Sequence, residues 1–233
     1  MAGALQVYLQ KNNLYSRMDI TVNRIQLATI VGTAFILPLL VWLSHTGNPL
    51  LYFTNIAPIR QGFYVFSKLA ALMSIMMFGL PALMGLFPSF VDNNSRVVIH
   101  KTMGCTVLFS ILLHIGGFIT ATTLRSGHFT GHFLIPDIDD YYHARITVGL
   151  LAFILVLCAI FSKLWVSGVF SKFGHWLVLP AFYLSSWHAL TIGTESRHPA
   201  IQIILGAMMI IIALGVVKKI VRPLLPLSSF RIS

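Results

Sequence analysis

Two stretches decide the reading: residues 97–121, VVIHKTMGCTVLFSILLHIGGFITA, and residues 173–192, FGHWLVLPAFYLSSWHALTI. Each matches the roughly 20 apolar residues that a helix needs to cross a bilayer. Each also carries two histidines: His100 and His114 in the first, His175 and His188 in the second. A histidine in such a segment is costly to bury in lipid and marks a functional position by default.

Composition outside these stretches agrees with a membrane chain. Of the 233 residues, 57% are hydrophobic and 9% charged, against about 25% charged in soluble domains. The formal net charge of +10 suits cytoplasmic loops facing anionic lipid better than nucleic acid, and no nucleic-acid partner is expected. Two cysteines give no disulfide framework. Cys105 and Cys158 read as small buried packing residues. Residues 1–24 lack the pattern of a secretory signal, because Lys11, Arg17 and Asp19 interrupt them.

Six apolar runs are long enough to span: 25–44, 62–87, 97–121, 146–165, 173–192 and 200–221. Turn residues separate them: His45-Thr46-Gly47-Asn48-Pro49, Pro88-Ser89 with Asp92-Asn93-Asn94-Ser95, and Ser167-Gly168. Asn94 or Ser95 suits the N-cap of the third run. The expected fold is an all-α integral membrane protein, a six-helix bundle over 25–221 with a segment 1–24 and a tail 222–233. With the N-terminus inside, eleven of the 16 lysines and arginines fall inside and five outside. The positive-inside rule therefore puts both termini in the cytoplasm and the loop 122–145 outside. The protein is read as multi-pass in the cell membrane, the inner membrane if the cell is bacterial.

In that topology the third and fifth runs are parallel. His100 then pairs with His175 near the inner face, and His114 with His188 nearer the outer one. At 1.5 Å per residue the two levels lie about 20 Å apart. Neutral imidazole is a good ligand for haem iron, and bundle cores hold such cofactors. A tetrahedral zinc site fits less well, since no cysteine or carboxylate joins either pair. Fourteen residues leave His100 and His114 within about 40° of one face, but thirteen leave His175 and His188 about 140° apart. A haem ladder therefore needs a distortion in the fifth run, where Pro180 sits. The plainer alternative is that all four are hydrogen-bonded packing residues.

These residues resemble the ferric reductase-like transmembrane domain family, which includes the membrane domains of NADPH oxidases and ferric reductases. The resemblance rests on His100-Lys101 and Leu112-Leu113-His114 in the third run. In the fifth it rests on Gly174-His175-Trp176 and Ser186-Trp187-His188, and it covers about 62–221. It implies six helices and two b-type haems, the inner on His100 and His175 and the outer on His114 and His188. Larger members continue into flavin and nicotinamide domains. Here only 222–233 follow and no G-x-G-x-x-G occurs, so a separate cytoplasmic reductase carrying FMN or FAD is the implied donor. In size the chain is more similar to short members, such as the haem-binding membrane subunit of the periplasmic methionine sulfoxide reductase system, which typically keeps fewer of the four histidines. Phe118 stands where oxidases of the family often carry a further histidine, which puts oxygen reduction in doubt.

The resemblance thus implies electron transfer from a cytoplasmic flavin or NAD(P)H reductase to an extracytoplasmic acceptor. One alternative is a haem subunit delivering electrons or quinol equivalents to a periplasmic reductase. A second is a non-redox transporter or assembly factor. Lys68, inside the second run, needs a partner or snorkels to the interface; a haem propionate would serve as partner. Arg125 and Arg197 are further outer candidates for that role, and Arg96, Lys101 and Lys172 inner ones, although each also serves the topology signal. In the outer loop, His128, His132, Asp137, Asp139, Asp140, Tyr141, Tyr142 and His143 could hold a metal. The glycines at 127 and 131 favour an irregular solvated loop, with Asp139 or Asp140 capping the fourth run. Phe109 and Phe182, between the two levels, and the cluster Met73, Met76 and Met77 read as packing.

Overall fold

A computed structural model describes residues 24–54, 56–87 and 93–221. Among these the chain is helical, with no strand. The helices are α1 (Arg24–Thr46), α2 (Ile59–Leu86), α3 (Asn93–Ser126), α4 (Tyr141–Trp165), α5 (Gly168–His175), α6 (Val178–Ile192) and α7 (Pro199–Val221). Short 3₁₀ turns, Pro49–Phe53, Gly131–Leu134 and Glu195–Arg197, lie in the connections. Five helices, α1, α2, α3, α4 and α7, are long and apolar enough to cross a membrane. The chain is an all-α protein compatible with a multi-pass membrane fold.

The remaining apolar run is not one continuous helix. It divides into α5 and α6 at Trp176 and Leu177. Pro180 has no N–H to return to Trp176, and Leu179 N donates to that carbonyl instead, at 3.0 Å. Trp176 N and Leu177 N likewise bond three residues back, to Phe173 O and Gly174 O. Each 3₁₀ step turns the chain about 120° instead of about 100°, so three such steps cut the offset between His175 and His188 from about 140° to about 80°. The break redirects the chain over the rest.

α2 is the central helix. Of its most apolar window, 61% is buried inside the protein, against 11% for α3. It packs on α1, α3, α6 and α7. Leu72, Met76 and Met77 meet Phe182 from α6 and Ile201, Leu205 and Ile212 from α7 in the core. The Phe182 ring stands edge-on to Phe78, 5.8 Å between centroids. Phe109, by contrast, is exposed on the outside of the bundle. Cross-helix bonds fasten the core: Trp42 Nε1 donates to Val65 O at 2.8 Å and Tyr183 Oη to Met209 O at 2.7 Å.

Two expectations are corrected. Cys105 and Cys158 are exposed, not buried. When the surrounding solvent is apolar, an apolar segment gives no information about which of its residues face inward. The third helix already begins at Asn93, so Asn94 and Ser95 lie in its first turn instead of capping it. Pro88, Ser89 and Asp92, and the segments 1–23 and 222–233, lie outside the described residues. Elsewhere the turn chemistry acts as expected. Gly47 takes φ +73° after α1, and the Asn48 side chain accepts from Leu50 N at 3.0 Å.

Candidate functional site: two facing histidine pairs

α3, α4, α5 and α6 bring the four histidines into two pairs. The His100 and His175 rings lie 5.7 Å apart between centroids, at 69°. The His114 and His188 rings lie 6.4 Å apart, at 63°. Two metal–nitrogen bonds of about 2 Å each, together with the two ring radii, span about 6 Å between imidazole centroids. Both centroid spacings are of that size. Among the described residues no group of three or more histidines, cysteines or carboxylates could hold a metal. Each level thus offers two imidazoles and nothing more, a donor set for a metal whose other ligands come with it.

The His114–His188 pair is held from behind. His114 Nδ1 lies 3.1 Å from Ser67 O on α2, and His188 Nδ1 lies 2.7 Å from Arg145 O on α4. A carbonyl only accepts, so each Nδ1 carries the proton and each Nε2 keeps a free lone pair. Such a bond orients a metal-ligating histidine and raises its basicity. Two glycines make the approach possible. A Cβ on Gly149 would stand 2.7 Å from Cε1 and Nδ1 of His188, and one on Gly117 would stand 2.9 Å from Ser67 Cβ. Neither glycine was singled out from the sequence, because nothing local distinguishes it from other helical glycines.

The two rings face a cavity of about 220 Å³, also lined by Leu72, Phe118, Phe153, Tyr64, Tyr142, Lys68 and Glu195. Phe133 and Leu134, from the loop between α3 and α4, close one side of it. The loop is fastened at two points. Thr130 is buried, with its hydroxyl 2.6 Å from Thr122 Oγ1 and 3.0 Å from Thr123 Oγ1. At the other end Asp137 N donates to Thr147 Oγ1 at 2.8 Å. Phe133 bridges Phe118 and His143, at 5.3 and 5.6 Å between centroids.

The His100–His175 pair differs. His175 Nδ1 is buried without a hydrogen-bond partner. His175 is the last residue of α5, directly before the break. His100 lies one turn beyond Arg96 on α3, while Lys101 and Lys172 are exposed. Lys219 reaches the Trp176 ring at 4.6 Å and ties the break to the end of α7.

Lys68 finds its partner within the chain. Its ammonium donates to Glu195 Oε1 at 2.9 Å and to Thr194 Oγ1 at 2.7 Å, and the Thr194 hydroxyl donates to Glu195 Oε2 at 2.6 Å. Lys68 therefore needs no propionate to satisfy its charge, although it lines the cavity beside both histidines. The sequence held a signal for this pairing: Glu195 is the only acidic residue after Asp140. Arg125 and Arg197 are exposed and lie outside the cavity lining. Arg197 donates to Thr191 O at 2.9 Å.

Among the described residues the loop between α3 and α4 gathers no group of three metal-binding side chains. Asp140 caps α4, accepting from Tyr142 N at 2.7 Å and His143 N at 2.8 Å, and His143 Nδ1 lies 2.6 Å from its second oxygen. The His143 amide and imidazole together hold the Asp140 carboxyl below its ordinary range. Gly127 takes φ +74° at the end of α3, and His128 folds back on Ser126. A third histidine pair, His45 and His198, has centroids 5.9 Å apart. Here both Nδ1 atoms serve helix ends: His45 faces Val41 O at 2.9 Å, and His198 accepts from Ala200 N at 3.3 Å. Ring spacing alone therefore does not define a ligand pair; the outer site is distinguished by its orienting carbonyls and its cavity.

Comparison with protein-family models, with curated proteins and with solved structures returns no match.

Proposed function

We propose that this chain is a haem b-containing transmembrane electron-transfer protein of the ferric reductase-like kind, with two bis-histidine sites stacked across the bilayer. The observation that carries the reading is the outer pair. His114 and His188 face each other across a metal-sized gap, and each Nδ1 donates to a carbonyl. The pairing of the His100 and His175 rings, 5.7 Å apart between centroids, supports a second, inner site. The donor set fits haem iron, which brings four ligands of its own and asks the protein for two axial imidazoles.

In this reading α5 and α6 together form the fifth of six crossings, broken at Trp176 and Leu177, and both termini face the cytoplasm. A bound haem would supply one-electron redox chemistry at each level. The chain's own residues set axial ligation, spacing and surroundings. His100 and His175 would hold the group on the side that meets a separate cytoplasmic flavin reductase. His114 and His188 would hold it on the side that meets an outer acceptor. The Phe133 loop shields the outer level from water, and the Lys68–Glu195 pair leaves the cavity wall nearly neutral.

The test is haem per polypeptide in the purified full chain, by pyridine haemochromogen together with a dithionite-reduced minus oxidised spectrum. Near two b-type haems with low-spin bis-imidazole bands is the expected result. A colourless, well-folded chain from haem-supplemented cells overturns the proposal and favours a transporter or assembly factor.

A further inference from the structure

The two histidine pairs differ at their Nδ1 atoms. At the outer level both Nδ1 atoms have backbone acceptors, Ser67 O at 3.1 Å and Arg145 O at 2.7 Å. These bonds choose the tautomer, fix both rings and leave the two Nε2 atoms as ligands. They also come from two helices, α2 and α4, that do not themselves carry the ligands. At the inner level His175 Nδ1 is buried with no partner. Among the described residues nothing there selects a tautomer, and the ring hangs from the final residue of α5, where the backbone is about to break.

Preorganisation separates the levels further. The rings of His114 and His188 line a cavity and are already oriented by their backbone acceptors. Gly149 allows the α4 backbone to lie directly against the His188 imidazole. A group entering this site need not reorganise the ligands. One entering at the inner level must orient both rings itself and leave or satisfy the Nδ1 of His175.

We infer that the outer pair is the high-affinity haem site and the inner pair a weaker one, so that the first equivalent of haem goes to His114 and His188. This rests on the haem reading proposed above. Loss of the groups that orient a metal-ligating histidine lowers metal affinity about 10- to 100-fold, and the inner site falls short of the outer by a factor of this order. Under haem limitation the protein would then accumulate as a one-haem species filled at the outer level.

The experiment is a titration of the full chain, produced under haem limitation and held in detergent micelles, with ferric protoporphyrin IX followed by its Soret band. Wild type is expected to show two phases, the second about 10- to 100-fold weaker. His100→Ala keeps the tight phase. His114→Gly loses it, and added imidazole restores it, which also shows that this variant is folded. Two equivalents of equal affinity overturn the inference, as does a tight phase that vanishes in His100→Ala. Haem bound in the reverse order removes only this inference. No haem in the folded wild type removes the proposed function with it.

Discussion

Replacing Lys68 with methionine tests the wiring of the outer cavity without touching a histidine. The Lys68 side chain is 23% exposed and that of Glu195 8%. The substitution strands a carboxylate whose one remaining side-chain partner is the Thr194 hydroxyl, 2.6 Å away. Removing one member of a buried pair costs about 3–5 kcal/mol. The surviving Thr194 bond and the partial exposure of Lys68 set the expected loss near the lower end, about 3 kcal/mol.

The pH dependence gives a sharper signature. Burial pushes the Glu195 carboxyl up, but hydrogen bonds from Thr194 and Lys68 outweigh it and hold the group below its ordinary range. The wild-type contribution is therefore present above the ordinary carboxylate pKa and is lost as pH falls through the lower folded value. Between pH 7 and 5 it is flat. Without Lys68, burial still pushes the carboxyl up while the ammonium no longer pulls it down, so the folded pKa is expected to rise from its wild-type position past the ordinary value. The variant then regains stability as the pH falls toward that ordinary value and Glu195 takes up a proton. Apparent melting temperature in detergent micelles, read by tryptophan fluorescence at pH 7 and pH 5, would follow both effects. Lys68→Met should melt well below wild type at pH 7 and close part of the gap at pH 5. Lys68→Met with Glu195→Gln should be milder than Lys68→Met alone, since it leaves no stranded charge. A Lys68→Met protein within about 0.5 kcal/mol of wild type, or one whose deficit is unchanged at pH 5, would refute the reasoning.

Other outcomes follow from single contacts. His114→Ala or His188→Ala should remove the outer haem and stop transfer to outside acceptors while the inner haem is still reduced; equal loss of both haems in folded protein would leave the assignment to levels unsupported. Gly149→Leu should displace the His188 ring, whose Cε1 and Nδ1 would stand 2.7 Å from the new Cβ. Its expected result is loss of the outer haem with the His100–His175 haem retained, seen as half the wild-type haemochromogen. Tyr183→Phe deletes the bond to Met209 O at 2.7 Å and should cost about 0.6–1.7 kcal/mol, the range for interhelical hydrogen bonds in membranes. An unchanged thermal midpoint would place that hydroxyl among bonds without net value.

The fold class was readable because hydropathy is a local sum. Runs of about 20 apolar residues specify membrane helices whatever they pack against, and five of the six appear as helices of spanning length. The pairing of His100 with His175 and of His114 with His188 was also foreseeable. It follows from counting residues along parallel segments, and Pro180 announced where the second segment must deform.

Facing and partnership were not readable. In lipid an apolar residue is at ease on either side of a helix, so no local pattern distinguishes the exposed Cys105 and Cys158 from buried residues. Lys68 announced that it needed a partner, but Glu195 lies 127 residues away and is reached only when the α6–α7 connection folds over α2. The orienting carbonyls of Ser67 and Arg145 belong to every helical backbone. Only the packing of α2 and α4 against the histidines, allowed by the missing Cβ atoms of Gly117 and Gly149, makes those two into acceptors. Sequence by itself determined the helices, their spanning length and the spacing of the imidazoles along them. The tertiary structure decided which nitrogen each imidazole offers, because that depends on atoms brought from other helices.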